Sequence, residues 1–183
     1  LQELKTYRSG LSQQQGTPSG SLSFATSHHI GLHRLPQALR DFKIRYPLVD
    51  LDLHFMDSED ACIAIANHEL ELAIVTLPEI ADDKLDCEPI WVDRLVVAMA
   101  ADHNLADQQD IDPTDLLDHA AILPSTGTFT RKIINNLFAG NQDQLKIVLE
   151  TNYLETIKVM VSANLGWSIL PQNMVDDSLV CHG

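Results

Sequence analysis

The segment from Ser21 to Pro36 constrains the fold most strongly, because an apolar strand passes through a polar turn directly into an amphipathic helix. The pattern predicts a strand over residues 22–26, followed by a helix to about Tyr46. The helix carries one apolar stripe at three- and four-residue steps: Leu32, Leu35, Leu39, Phe42 and Tyr46. A helix start offers unpaired backbone N–H groups and partial positive charge. The junction therefore predicts either an anion-binding turn at Ser27 or a helix cap formed by the Ser27 side chain.

A second strand and helix follow the first pair. Residues 50–55 alternate apolar and polar side chains, which predicts a strand with one covered face. Residues 57–60 predict the N-cap and acidic first turn of a helix to about Asn67, and residues 72–75 predict a short, fully buried strand. The order β-α-β-α-β predicts a parallel sheet with right-handed crossovers.

A new α/β series follows a middle section, residues 86–100. There, two apolar runs separated by a turn near Asp93 predict two strands, of which the second leaves one lobe and enters another. The series beyond it is predicted as a helix at 112–117, a strand at 120–123, a helix at 129–139 ended by Gly140, a strand at 145–150, a helix at 153–163 and a strand at 167–171. Two similar lobes joined by crossing strands would leave a cleft between them.

Hydroxyl-rich turns follow several of the predicted strands. The turn at residues 125–127 repeats the arrangement at Ser27, and Ser58 and Thr76 follow the second and third strands. The carboxyl ends of the strands in an open parallel sheet line the ligand crevice. We therefore expect these turns to converge on one region.

Composition excludes several classes of function. A formal net charge of -14 argues against contact with a phosphate backbone, because such binding depends on Lys and Arg. No apolar run is long enough to span a bilayer, and the first residues lack the pattern of a secretion signal, which predicts a cytoplasmic protein. The three cysteines, Cys62, Cys87 and Cys181, form no Cys-x-x-Cys pair, so neither a disulfide framework nor a zinc site is predicted.

The charge is distributed unevenly along the chain. Basic residues crowd the first long helix, whereas the region between Glu79 and Asp118 is heavily acidic. The basic residues are Arg34, Arg40, Lys43 and Arg45. The pattern predicts either two solvated surfaces or a charge-complementary contact between subunits.

Four motifs occur in order along the chain. They are Leu35-Pro36-x-x-Leu39-x-x-Phe42-x-x-x-Tyr46-Pro47, Leu70-Glu71-Leu72-Ala73-Ile74, His103-Asn104-Leu105-Ala106 and Val161-x-Ala163-Asn164-Leu165-Gly166-Trp167-x-Ile169-Leu170-Pro171. This ordered set resembles the effector-binding domain of LysR-type transcriptional regulators, from Gly20 to about Val180. Glu71, Asn104 and Asn164 depart from the family's aspartate, proline and glycine. Asparagine still permits the left-handed conformation that a helix end needs.

The resemblance implies an α/β fold of two Rossmann-like lobes joined by crossing strands, of the type 2 periplasmic-binding-protein-like class. It also implies an organisation of the chain. Residues 1–19 would be the end of a linker helix and the linker, residues 20–98 lobe I, residues 99–172 lobe II, and residues 173–183 a truncated return to lobe I. The N-terminal winged helix-turn-helix and the last C-terminal strand and helix of such regulators would then be missing.

The resemblance also implies a sensor. A small metabolite would enter the cleft and re-space the DNA-binding heads of a homodimer or tetramer, which typically needs a coupling of about 1–3 kcal/mol. DNA would be bound only through the missing N-terminal domain, and RNA polymerase is a further partner to consider. No cofactor, metal or membrane contact is implied. Carried over by position, the effector contacts fall on Ser27, His28, His29, Ser58, Thr76, Ser125, Thr126 and Gly127, whose hydroxyls and helix starts suit a carboxylate or similar anion.

Three alternatives stay open at this point. An enzyme is disfavoured because no nucleophile elbow, phosphate-binding loop or His-Glu-x-x-His motif occurs. A metal site at His28, His29 and His33 is disfavoured as well, because no carboxylate or cysteine lies at a matching spacing. A periplasmic-type solute-binding protein would have the same cleft. A ligand-free oligomerisation domain would use the same fold for assembly alone.

Overall fold

The computed structural model describes residues 17–78 and 82–182, which fall into two compact units. The first unit ends at Val75, and the second begins at Thr76. The linker helix and linker predicted over residues 1–19 lie outside the described residues, apart from residues 17–19 of the linker. None of the described helices is long and apolar enough to cross a membrane.

The first unit is built on a three-stranded parallel sheet. Its elements are β1 (Gly20–Thr26), α1 (His28–His33), α2 (Leu35–Arg45), β2 (Val49–Phe55), α3 (Ser58–Ala66) and β3 (Ala73–Ile74). The strand order is β2-β1-β3, and both neighbours run parallel to β1. This confirms the predicted β-α-β-α-β order with its parallel sheet. Thr26, the last residue of β1, is in register with Phe55 and Ile74, so the three strands end at one edge.

The long helix predicted as far as Tyr46 is wrong in one respect, since the chain forms two helices there. The break falls at Arg34, and Pro36 lies in the first turn of α2. Proline has no N–H group, and its ring clashes with the carbonyl four residues earlier, so it begins a helix more easily than it continues one. Because the break changes the helical phase, Leu35 is buried with Phe24, whereas Leu32, predicted on the same stripe, is 57% exposed.

The third strand is shorter and less buried than predicted. β3 pairs with β1 at only two positions, and both of its residues are half-buried. Leu72, which the prediction placed in the buried strand, is exposed. Because β3 has β1 as its one partner in the described sheet, its other edge lacks the cover that a fully buried strand needs.

The second unit combines antiparallel and parallel pairs. Its elements are β4 (Leu95–Ala100), α4 (Pro113–Leu116), β5 (Ala120–Leu123), α5 (Phe129–Leu137), β6 (Lys146–Glu150), α6 (Leu154–Ser162), β7 (Ser168–Pro171) and β8 (Leu179–His182). β4 lies between β7 and β8 and is antiparallel to both, whereas β5 and β6 are parallel. The predicted helices and strands from residue 112 to residue 171 are confirmed within a few residues at their ends. The lobe boundaries placed at residues 98 and 172 stay predictions.

The first of the two strands predicted over residues 86–100 is wrong. Residues 85–94 form no regular structure, and Val92 is 91% exposed. An apolar run becomes a strand only where another strand can satisfy its backbone groups, and the described residues place none beside this segment.

The core of the second unit centres on Trp167. Its indole is fully buried, packs against the Phe138 ring at 5.7 Å between centroids, and donates a hydrogen bond to the Leu116 carbonyl at 3.1 Å. Asn164, at the end of α6, has a φ of 57°, which confirms the left-handed conformation expected there. The chain thus leaves α6 sharply and enters β7 through Trp167.

Candidate functional site

The first predicted turn lies at the carboxyl edge of the first sheet. The Thr26 hydroxyl is fully buried and donates to the Ile74 carbonyl at 2.8 Å, which joins the ends of β1 and β3. Ser27 occupies the N-cap position of α1 with an extended backbone, but its side chain makes no capping hydrogen bond. The alternative in which the Ser27 side chain merely caps the helix is therefore wrong.

The other candidates of the first unit follow the same strand ends. The His28 ring lies 5.2 Å from the Phe55 ring, and the buried His29 ring lies 5.0 Å from the His33 ring. Ser58 is buried at the first position of α3, three residues after the end of β2. Thr76, the first residue of the second unit, follows β3 by two residues along the chain.

The second predicted turn joins β5 to α5 and is held at both of its ends. The Ser125 backbone N–H donates to the Asn152 side-chain oxygen at 3.0 Å. At the helix end, the Thr128 hydroxyl donates to the Ser125 carbonyl at 3.0 Å and accepts from the Arg131 N–H at 3.2 Å. Gly127 has a φ of 105°, which side-chain-bearing residues rarely adopt, so glycine suits the tip of this turn.

A buried arginine that we did not single out from the sequence lies beneath this turn. Arg131 is 6% exposed, and its Nη1 donates to the Pro124 carbonyl and to Glu150 Oε1, both at 2.7 Å. Its Nε donates to Asn135 Oδ1 at 3.0 Å. A signal was available, because Arg131 and the buried Ile134 are three residues apart on α5 and therefore share one helix face.

Clearly shifted pKa values occur at described groups outside these turns. Burial, with a smaller effect of the nearby His119, lowers the pKa of His103, whose ring lies 5.0 Å from the His119 ring. The Lys158 ammonium, 2.5 Å away, and hydrogen bonds from Ser178 hold the pKa of Asp176 well below its usual range. Both groups belong to the second unit, and neither lies in a candidate turn.

The structure thus brings the candidates together within each unit. Ser27 directly follows β1, and Ser58 follows the end of β2 by three residues, so both lie at one edge of the first sheet. In the second unit, residues 125–127 lie beside Asn152, which follows β6. The convergence of both groups of turns on one cleft stays a prediction.

Comparison with known proteins gives the family. Residues 15–182 match the LysR substrate binding domain, and the chain belongs to this family. It is similar to a probable RuBisCO transcriptional regulator of Phaeodactylum tricornutum, with 27% identity over 165 residues, 87% of this chain and 54% of that protein. The chain spans about half the length of the curated relatives it matches. The predicted resemblance is confirmed, and the family is one of transcriptional regulators rather than solute-binding proteins.

Solved structures confirm the fold class. The regulatory domain of CcmR from Synechocystis PCC6803, in complex with 2-PG, is 28% identical with a TM-score of 0.76, covering 89% of this chain and 80% of that one. The effector binding domain of QuiR, in complex with shikimate, is 25% identical with a TM-score of 0.73, covering 84% of this chain and 74% of that one. The chain therefore has the α/β fold of type 2 periplasmic-binding-protein-like effector domains.

Proposed function

We propose that the chain is the ligand-sensing domain of a LysR-type transcription factor and that it binds a small anionic metabolite at the turns after β1 and β5. The observation that carries the proposal is the state of the second turn. Thr128 caps α5, and among the described residues the backbone N–H groups of Thr126 and Gly127 donate to no acceptor. Successive unpaired N–H groups in a turn that leads into a helix favour an anionic group. The ligands of the related QuiR and CcmR structures support a small molecule as effector.

The groups that surround the turns indicate how the anionic group of the ligand would be bound. The Arg131 guanidinium is paired with Glu150, so it offers no free positive charge to a ligand. Recognition would instead use hydroxyls and amides, which can complete the hydrogen bonds of one carboxylate or similar group. Ser27, His28, His29 and Ser58 would contribute from the first unit, Thr76 from the boundary between the units, and Ser125, Thr126 and Gly127 from the second unit.

The partners of the whole protein are part of the same proposal. Ligand binding would be relayed to DNA-binding heads in a homodimer or tetramer, with DNA contacted by a separate N-terminal domain and RNA polymerase as a further partner. The basic helix α2 suits a contact with an acidic surface of a second subunit. Two of its cations are already engaged within the unit: Lys43 donates to the Val49 carbonyl at 2.6 Å, and Arg45 lies over the Tyr46 ring. Arg40 is exposed and is the better candidate for such a contact.

Thermal unfolding in the presence of small anions tests the proposal. The panel contains shikimate, 2-PG, several amino acids, sulfate and phosphate. A ligand at a hundred times its Kd stabilises the folded state by about 2.7 kcal/mol. We expect a stabilising member of the panel, and we expect Ser27→Ala and Ser125→Ala to weaken that effect while leaving the unliganded Tm nearly unchanged.

Ser162→Ala is the matched control, because this exposed hydroxyl bonds only to the Val159 carbonyl within its own helix. It should bind the ligand as the unmodified chain does. A cooperative unfolding transition that no member of the panel shifts would contradict the proposal and favour the oligomerisation alternative.

A further inference from the structure

We propose that Arg131 is a positioning residue for the effector, because it clamps the Pro124–Ser125 peptide and thereby aims the amides of the second turn. The inference rests on the proposed function and names a residue that controls the same site without touching the ligand. It starts from an arginine that is 6% exposed and bonded to three different partners: Pro124, Asn135 and Glu150.

The clamp joins the ends of two neighbouring strands. Leu123, the last residue of β5, is in register with Glu150, the last residue of β6. Arg131 Nη1 bonds to the carbonyl that follows β5 and to the Glu150 carboxylate, while Nε bonds to Asn135 on the same helix. The guanidinium is planar, and its donors have fixed directions, so these bonds together fix its orientation. A lysine ammonium could not maintain the same set of directions.

The clamp determines where the amides of the turn point. In a trans peptide the carbonyl and the N–H point in opposite directions. The Pro124 carbonyl accepts from Arg131, and the N–H of the same peptide, on Ser125, donates to Asn152, so this plane is held from both sides. The next carbonyl, on Ser125, accepts from the Thr128 hydroxyl. The Thr126 N–H therefore points away from the helix cap.

Stability alone does not account for this arrangement. A buried ion pair often contributes little net stability relative to a well-packed apolar pair, because both charges lose hydration. Here the Glu150 side chain is 42% exposed, so Arg131 bears most of the burial. The ion pair with Glu150 holds the guanidinium in the position from which it can bond to the Pro124 carbonyl, and so it maintains the orientation of that peptide. The charge of Arg131 is matched by that of Glu150, so the residue acts on the ligand through geometry.

Binding and amide exchange of Arg131→Lys test the inference. We expect the Kd for shikimate or 2-PG, whichever the unmodified chain binds, to rise at least about tenfold. We also expect hydrogen exchange at the Ser125 and Thr128 amides, which donate to Asn152 and to the Ser125 carbonyl, to accelerate by about tenfold or more, because the turn opens locally. Phe138→Leu is the matched control, since it loosens the core beside Trp167 without touching the turn. It should change neither the Kd nor the exchange of these two amides by more than about twofold.

The two readouts separate this inference from the proposed function. If neither probe binds the unmodified chain, the proposed function fails for these anions, and the exchange rates still test the clamp. Unchanged exchange at the Ser125 and Thr128 amides in a folded Arg131→Lys variant would overturn the inference. Equal losses of affinity in Arg131→Lys and in an equally destabilised Phe138→Leu variant would also overturn it, because stability alone would then explain the effect.

Discussion

Replacing Gly166 by alanine probes a close approach between two backbone segments of the second unit. A Cβ added at Gly166 would lie 2.5 Å from the Ala120 carbonyl oxygen and 2.9 Å from its carbon. Both atoms belong to backbone, so no flexible side chain can move aside. The φ of Gly166 does not lie in the left-handed region, so crowding rather than torsional strain causes the expected effect.

The size of the effect follows from what must move. The Trp167 N–H donates to the Ala120 carbonyl at 2.9 Å, and the Trp167 carbonyl accepts from Ile122 at 2.9 Å. Overpacking of this kind costs about 1–3 kcal/mol, and weakening the first of these hydrogen bonds adds about 1 kcal/mol. We expect Gly166→Ala to destabilise the second unit by about 3 kcal/mol, which corresponds to a fall in Tm of about 6–12 °C.

Urea unfolding followed by tryptophan fluorescence measures the effect, because the buried indole of Trp167 lies directly beside the substituted position. Asn164→Gly is the control in the same loop. Its φ of 57° is already left-handed, so glycine fits there, and stability should change by only about 0.5 kcal/mol. A Gly166→Ala variant that unfolds within about 0.5 kcal/mol of the unmodified chain would refute the crowding argument.

Two further predictions concern the second unit. Ser168 is fully buried on β7, and its hydroxyl has no hydrogen-bond partner among the described residues, so Ser168→Ala should stabilise the unit by about 1 kcal/mol in urea unfolding; a clear loss of stability would contradict this. Lys158 and Ser178 hold the pKa of Asp176 below its unfolded value of about 3.9, so its contribution to stability is present above that pH and is lost as the pH falls. Asp176→Asn should therefore flatten the decline of the urea midpoint between about pH 5 and about pH 2.5, and an unchanged decline would exclude this carboxylate as a cause.

Much of the fold could be predicted because local patterns and pairing agree. Residues 50–55 alternate strictly, and the structure pairs them along the whole of β1. The errors fall where a distant partner or a single proline decides the outcome. Residues 90–92 are as apolar as a strand, but strand formation depends on a neighbour that local pattern cannot reveal. At Arg34, the apolar stripe of the sequence continues without a break, but Pro36 favours a new helix start.

The same distinction applies to the candidate site. Hydroxyls after strand ends could be located from sequence, because their positions follow from strand order. The groups that hold the second turn come instead from α5 and from the end of β6, so no local pattern joins them to it. From the sequence, Arg131 resembles the other polar residues of an amphipathic helix. Its role becomes apparent only from its bonds to Pro124 and Glu150.

The caps of the two helices explain why serine at these turns is available to a ligand. In the second unit the cap of α5 is Thr128, which lies three residues after Ser125. In the first unit Ser27 holds the cap position of α1 without forming the capping bond. A capping hydroxyl is committed to backbone N–H groups and has less capacity left for a ligand. Because neither Ser27 nor Ser125 supplies that bond, replacing either one should weaken ligand binding far more than it weakens the fold.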